Sequence, residues 1–354
     1  MHGDLMETIL GKTEKELTDL AVSIGLPKFA GKQIANWLYV KRAKSFTQMT
    51  NLPSIARQKL TDLYSIGRSE PVAHAVSADG TKKYLFAIER TGNKHCFVET
   101  VYIPEDDRAT LCVSTQAGCK MGCKFCMTGS LGFQTQLTAA EILNQIFSIP
   151  EAQDLTNIVF MGEGEPGDNA DNVIASVNAL TSSWGCGWSP RRITISSVGY
   201  LPGLKQLIEF TECHIAISLH NPFHAERQEI MPIDKVYPID SVLELLSRYD
   251  WRHQRRLSFE YICFGGQNDT IRHANALKRI LHPFDCRVNL IKFHKSPDEG
   301  NRHDILFADS SPKQMEWLKD YLTDNGITTT IRRSRGEDIL AACGMLVNAL
   351  VKEN

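Results

Sequence analysis

The sequence has no apolar run of bilayer length, which argues against a membrane-spanning helix. Met1–Met6 carries no signal-peptide pattern, so the expected location is the cytoplasm and no membrane partner is expected. Neither charge is in excess: 39 Lys and Arg stand against 41 Asp and Glu, a formal net charge of −2. No global field draws such a chain to nucleic acid, so any contact of that kind must rest on local patches. Tandem repeats and low-complexity tracts are also missing. What remains is an ordinary globular composition over 354 residues, enough for one large core and a small accessory domain. Ten cysteines without an export signal fit a reducing compartment, where they serve as ligands, reactive thiols or core residues rather than disulfides.

Three of them set the organisation of the chain. Cys119, Cys123 and Cys126 stand at C-x3-C-x2-C spacing around a turn at Gly122. Thiolates in so short a loop converge on one centre. With no fourth Cys or His nearby, three thiolates suit a cubane iron–sulfur cluster with one iron left open. A zinc site with a distant fourth ligand and three buried thiols are the alternatives. An open iron can hold the amino and carboxylate groups of S-adenosylmethionine, and Phe125 is placed to lie against an adenine.

Residues 1–62 read as helical, with helices over Lys12–Ile24 and Ala30–Ala43 and a third beginning at Asn51-Leu52-Pro53. Seven Lys and Arg without an acid run from Leu20 to Thr61, which reads either as a solvated face or as a phosphate-contacting patch. Lys82–Glu89 and Cys96–Pro104 form a hairpin around Thr91-Gly92-Asn93. In its second strand His95, Phe97, Glu99, Val101 and Ile103 share a face. Glu99 is then a carboxylate in a mostly apolar row, either a buried general base of raised pKa, or a carboxylate on a solvated face or in a salt bridge.

Strands at Ala109–Ser114, Asn157–Met161, Ile193–Ser197, His214–Leu219, Leu257–Cys263 and Val288–Phe293 alternate with helices. One of the helices, Thr138–Phe147, opens on the capping box Thr138-x-x-Glu141. Six βα units predict a parallel sheet, as an incomplete barrel or doubly wound. Ligands collect at the carboxyl ends of such strands, where the cysteine loop falls. Gly162-Glu163-Gly164-Glu165-Pro166, Ser196-Ser197-Val198-Gly199 and Ser218-Leu219-His220 end three other strands on that rim and together suit a polar cofactor. A loop over His294–Asp309, a helix over Pro312–Asp324 and a strand over Thr328–Ser334 follow. In the tail, Arg332, Arg333 and Arg335 either hold phosphate or pair with Glu337 and Asp338, and Cys343 reads as a packing thiol.

C-x3-C-x2-C with an aromatic before the last Cys resembles the radical SAM superfamily. The longer ordered set Val98–Pro104, Arg108–Gln116, Gly164-Glu165-Pro166, Ile217–His220 with Met231-Pro232-Ile233, Phe259-Glu260-Tyr261, Val288–Ile291 and Arg335–Gly344 resembles the RlmN family of dual-specificity RNA adenine-C2 methyltransferases. That resemblance implies an α/β fold, a partial (β/α)6 radical-SAM barrel with an N-terminal helical accessory domain and a β-hairpin extension. It divides the chain into 1–62 (RNA-binding), 63–108 (hairpin), 109–310 (barrel) and 311–354 (tail). It implies a [4Fe-4S] cluster on Cys119, Cys123 and Cys126, with S-adenosylmethionine at Gly164, Glu165, Ser196, Ser218, Leu219, His220 and His294. Cys343 becomes the methyl-accepting thiol, Cys112 its transient disulfide partner and Glu99 the proton acceptor. Implied partners are 23S rRNA, tRNA and an electron donor such as flavodoxin or ferredoxin, with the chain a monomer. The departures are Glu163 where the family usually has Met, which is expected to add a carboxylate beside the amine site of S-adenosylmethionine, His294 where many have Asn, and Met345 for a common Gln. Two other readings are a Cfr-type adenine-C8 methyltransferase, which shares both reactive thiols, and a non-catalytic zinc-binding RNA adaptor, which has no use for Cys112 or Cys343.

Overall fold

The structure, a computed structural model, describes residues 6–90, 94–253, 255–295 and 307–346. Among these, ten strands form one mixed sheet: β1 (Ala73–Val76), β2 (Lys82–Arg90), β3 (Lys94–Pro104), β4 (Ala109–Cys112), β5 (Asn157–Phe160), β6 (Ile193–Ser197), β7 (His214–Ser218), β8 (Leu257–Cys263), β9 (Cys286–Lys292) and β10 (Thr328–Ile331). Their spatial order is their sequence order. β1 to β4 pair antiparallel and β4 to β10 pair parallel.

That order decides between the two architectures. A doubly wound sheet reverses direction at a switch point. This sheet never does, so right-handed crossovers carry every connecting helix to the same face and leave the other face free as a barrel lumen. The connecting helices are α5 (Ala139–Ser148), α6 (Ala170–Thr181), α7 (Leu201–Phe210), α8 (His224–Ile230), α9 (Ile239–Leu246), α10 (Ile271–Leu281) and α11 (Pro312–Asp324).

The period of two along each strand gives the two faces opposite chemistry. Ile158, Phe160, Ile193, Ile195, Ile215, Ile217, Leu257, Phe259, Val288 and Leu290 are buried and join the helices in one apolar core. On the alternate positions the register aligns Cys112 with Val159, and Ser218 with Glu260 and Asn289. A parallel strand buried on both sides usually reads as continuously apolar. These strands carry polar groups on one side because that side lines the lumen. Val101 pairs with Cys112 and with Lys83, so the row containing Glu99 continues the lumen face into the antiparallel strands.

The cap of α5 is as expected: Thr138 N donates to Glu141 at 2.8 Å and Glu141 N to Thr138 Oγ1 at 3.3 Å. Several boundaries differ. The strands expected to reach Ser114, Met161, Leu219, Phe293 and Ser334 end one to three residues earlier, where the chain peels away to form the rim. The hairpin tip Thr91-Gly92-Asn93 and most of the loop over His294–Asp309 lie outside the described residues.

The N-terminal unit contains α1 (Glu14–Ser23), α2 (Ala30–Ala35) and α3 (Ser54–Leu63), closed by a parallel pair of Glu7–Thr8 with Tyr64–Ser65. The single helix expected over Ala30–Ala43 widens at Asn36–Val40, where Lys41 N bonds Asn36 O at 2.9 Å, and stops at Arg42, whose φ is 53°. Tertiary contacts explain the break. Arg42 Nη1 donates to Ala152 O at 2.5 Å and its guanidinium lies 5.1 Å from the Phe147 ring, docking this unit on the end of α5. Arg42 therefore leaves the basic patch. Lys44 pairs with Glu70 at 2.5 Å, Lys59 donates to Ile24 O at 3.1 Å, and Lys41 lies 3.8 Å over Trp37.

Candidate active site

The cysteine loop owes its shape to two glycines. Gly118 has φ 70° and approaches Gly132 so closely that a Cβ would meet its carbonyl oxygen at 1.8 Å, and Gly122 has φ 61° at the turn. Cys126 N donates to Cys123 O at 3.1 Å, and Cys126 is the N-cap of the short helix α4 (Met127–Leu131). Cys119, Cys123 and Cys126 line one cavity together with Phe125, Gly164, Glu165, Ser196, Val198, Ser218, His220, Glu260 and Arg332. Cys112 and Cys343 open onto the same cavity.

The tail is tied to the cysteine loop. Met127 N donates to Gly344 O at 2.8 Å and Thr128 Oγ1 to Leu346 O at 3.0 Å. Ala341 and Leu346 pack on Val101, with Cys112 beside them. These contacts bring Cys343, which is exposed, over the cavity and remove it from the packing role its small neighbours suggest.

Each rim segment is held in place by a buried polar group. Glu165 accepts from Ser197 Oγ at 2.7 Å, Val198 N at 2.9 Å and Gly167 N at 3.0 Å. Burial pushes it up to about 7 against the pull of those bonds. Arg227, fully buried, donates to Val198 O at 2.8 Å, Ser218 O at 2.7 Å and Leu219 O at 2.9 Å, and pairs with Asp234. It thereby joins the ends of β6 and β7. Leu219 itself points into the core and offers the cavity no side chain. His220, at φ 53°, accepts from Ile262 N at 3.0 Å through Nδ1. Burial, with Arg227 nearby, lowers it to about 3, so its ring is neutral; Phe125 meets it edge-on at 4.7 Å. His294 lies in an adjoining cavity shared with Cys343 and Arg332–Arg335, with Nε2 2.8 Å from Ser334 Oγ.

Around the two further thiols, burial pushes Cys112 up to about 12; Cys343 adds to the rise and Arg332 opposes it. Burial works against the Arg332 charge, but Cys343, Glu260 and Cys112 outweigh it and raise its pKa. Arg332 Nη1 also reaches Glu260 at 3.3 Å. The tail arginines thus do not pair with Glu337 or Asp338 as one expectation had it. Arg332 turns inward, Arg335 faces Asp79 at 3.9 Å, and Asp338 accepts from Ser77 Oγ at 2.6 Å.

Glu99 is fully buried beside the rim, level with Ser114, whose Oγ donates to Glu99 O at 2.6 Å. Its carboxylate pairs with Lys83 Nζ at 2.9 Å, and Lys83 also reaches Leu340 O at 3.3 Å. Lys83 beside Glu99 and Arg332 beside Cys112 are placements that residue order did not reveal. A lysine at an inward position of β2 was the available signal for the first.

Glu163 does not add a carboxylate beside the amine site. It lies behind the rim, where Glu99 N donates to it at 2.8 Å and Gly118 N at 3.2 Å, joining the strand of Glu99 to the start of the cysteine loop. Burial raises it from 4.5 to about 8. The folded chain then holds a proton that the unfolded chain releases in this interval, so the stability from this site is complete below pH 4.5 and is lost as pH rises through 8. The urea midpoint of the wild type is expected to fall from pH 5 to pH 8 more steeply than that of Glu163→Gln. Equal falls would show that the slope arises elsewhere.

The three thiols of the loop fit a cluster. Burial raises all of them, Cys119 to about 12, and a bound cation reverses that bias toward thiolate. Cys126 and Cys119 both add to the rise at Cys123, so the three sulfurs face one another on the cavity they line.

Comparison with known proteins agrees. The radical SAM superfamily model matches residues 113–276, and the ribosomal RNA large subunit methyltransferase N-terminal domain model matches residues 8–66. A dual-specificity RNA methyltransferase RlmN of Geobacter sulfurreducens is 38% identical over 347 residues, covering 98% of this chain and 94% of that protein. A protein of the same name from Porphyromonas gingivalis is 52% identical over 338 residues, covering 96% of each. The chain belongs to the RlmN family. It is a radical SAM RNA methyltransferase, and its superfamily uses a [4Fe-4S] cluster and S-adenosylmethionine. The crystal structure of a radical SAM methyltransferase from Sphaerobacter thermophilus superposes with a TM-score of 0.87 at 35% identity, over 96% of this chain and 98% of that one. No helix among the described residues is long and apolar enough to cross a membrane.

Proposed function

We propose that the chain methylates adenine C2 in 23S rRNA and tRNA, and that Cys343, Cys112 and Glu99 divide the work. One observation carries the reading: two thiols distant in sequence open onto the cavity of the C-x3-C-x2-C loop, one of them delivered there by the bond from Met127 N to Gly344 O at 2.8 Å. When bound, the cluster on Cys119, Cys123 and Cys126 and S-adenosylmethionine along Gly164, Glu165, Ser196 and Ser218–His220 supply a methyl group and a hydrogen-abstracting radical. Adenine C2 is electron-poor, so a direct polar methyl transfer to it fails. Cys343 accepts the methyl on sulfur, and that carbon, once it has lost a hydrogen, joins C2. Arg332 beside Cys112 opposes the rise that burial imposes on that thiol and so favours its thiolate. Glu99, held 2.9 Å from Lys83 Nζ, takes the C2 proton. Cys112 thiolate then attacks the sulfur of Cys343 and forms a disulfide as the sulfur–carbon bond breaks; the departing carbon takes a proton to become the methyl group, and the one electron in excess would return to the bound cluster. The base must leave its stack to reach the cavity, which favours a looped RNA context.

Residues 1–62 serve RNA binding in this reading, 63–108 carry Lys83 and Glu99, 109–310 form the barrel and 311–354 deliver Cys343. A flavodoxin- or ferredoxin-type donor supplies electrons to a cytoplasmic monomer.

Mass spectrometry of adenosines from treated RNA tests the product, with 2-methyladenosine expected; 8-methyladenosine would overturn the C2 assignment. Anaerobic protein is expected to hold about four irons and four sulfides per chain. Cys123→Ala is expected to lose both the cluster and the cleavage of S-adenosylmethionine. A full cluster in that variant would refute the ligand assignment.

A further inference from the structure

The opposite end of the barrel carries a second concave site that the methylation chemistry does not use. A cavity of about 310 Å³ is lined by Arg191, Arg252, Arg255, Arg256, Arg287, His214, His253 and Asp285, with Trp251 at its wall. Its residues stand at the amino ends of the strands: Arg191 just before β6, His214 at the start of β7, Arg256 just before β8 and Arg287 near the start of β9. The cysteine rim is at the carboxyl ends, about 20 Å away along a seven-residue strand. The two sites are therefore separate.

The charge balance of this cavity is unusual. Among the described residues, none of its five arginines has a carboxylate within 4.0 Å. Arginines elsewhere on this chain find acids readily, as Arg90 does with Glu141 and Arg248 with Glu244. Here a single acid, Asp285, lines the cavity; Glu212 acts on Arg255 from outside the lining, and Asp250 stands 3.8 Å from His253. Burial lowers His214 to about 4, and the charges of Arg256, Arg191 and Arg287 add to the effect, so three of the guanidiniums act on one point. His214 stays neutral and Nδ1 accepts from Arg256 N at 2.9 Å, which fixes the backbone that carries Arg255 and Arg256.

We propose that this arginine-lined cavity is an anion site for phosphate groups, carried either by a nucleoside polyphosphate or by a phosphodiester backbone. Planar guanidinium forks match phosphate oxygens two at a time. The volume lies at the lower end of small-ligand pockets. Its concavity suits a tetrahedral anion better than a flat acidic protein surface, and its distance from the cluster rim excludes the anion at the methylated nucleotide itself. Like-charge repulsion among unpaired arginines is relieved when the anion enters, so binding stabilises the fold.

The test uses full-length protein with its cluster, at 0.15 M salt. Inorganic tripolyphosphate, adenosine triphosphate and a single-stranded RNA oligonucleotide are titrated by calorimetry into wild type, Arg256→Ala/Arg287→Ala and Arg192→Ala. Arg192 lies 5.8 Å from the Trp188 ring, outside the cavity lining, and serves as the control. Tripolyphosphate or adenosine triphosphate binding that weakens about 100-fold in the double variant and not in the control supports the site with a small polyphosphate as occupant. A loss confined to the oligonucleotide supports it with a phosphodiester as occupant. Without added anion the double variant is expected to melt at the same or a higher temperature than wild type, because repulsion has been removed. Equal binding of all probes by wild type and double variant, or no binding by wild type, overturns the proposal.

Discussion

Cys112→Ala is expected to stop with RNA joined to Cys343. The reasons lie in the cavity: Cys343 is exposed and still positioned by the Gly344 and Leu346 bonds to the cysteine loop, none of which involves the Cys112 side chain. Methyl loading and attack on the base therefore proceed. Release does not, because no second thiolate remains to attack the sulfur and close a disulfide. The adduct should survive denaturing electrophoresis and reducing agent, and turnover should fall below one product per chain. Nuclease treatment should trim the adduct to a nucleotide mass on the peptide that contains Cys343. Cys343→Ala should form no adduct and no product, since nothing accepts the methyl. Freely released methylated RNA from Cys112→Ala would refute the mechanism, and so would an adduct mapped to another cysteine.

Glu99→Gln is expected to load the methyl group on Cys343 at the wild-type level and to lose product formation by a factor on the order of 10² to 10⁴. The first transfer needs only a thiolate, whereas release of product needs the C2 proton removed. The structure adds a second consequence. Glu99 is the carboxylate facing Lys83 at 2.9 Å in a fully buried pair. An amide there leaves the ammonium poorly compensated, and breaking a buried pair costs on the order of 3 to 5 kcal/mol. Melting temperature and cluster content must therefore be measured beside activity. A variant that melts lower, keeps its cluster and loads Cys343 without releasing product matches the proposed role. Release of product at the wild-type rate excludes Glu99 as the base.

The cysteine loop, the strand alternation and the family were legible from residue order, because each depends on neighbours in the chain. C-x3-C-x2-C puts three sulfurs within a few residues' reach. The capping box at Thr138 and Glu141 is a bond across three positions. The ordered motifs identify a family without any coordinates. Sequence also told that Glu99 shares a face with Val101, since period two follows from strand geometry alone.

Only the folded chain decided what that face meets. The Lys83 contact with Leu340 O spans 257 positions, and the bond from Thr128 to Leu346 spans 218. Pairing at such separation depends on the register of β2, β3 and β4 and on where the tail crosses them, which no local pattern encodes. For the same reason Arg332 reads as one more tail arginine, yet stands beside Cys112 and Cys343, and Arg42 reads as part of a basic patch, yet docks against α5. Glu163 shows the limit most directly. Its place between two glycines on the rim suggested a ligand carboxylate, but at that point the chain turns its side chain behind the sheet, onto the amides of Glu99 and Gly118. A side chain's neighbours within the sequence set its type of structure; the partners of its charge are set by segments that arrive from elsewhere.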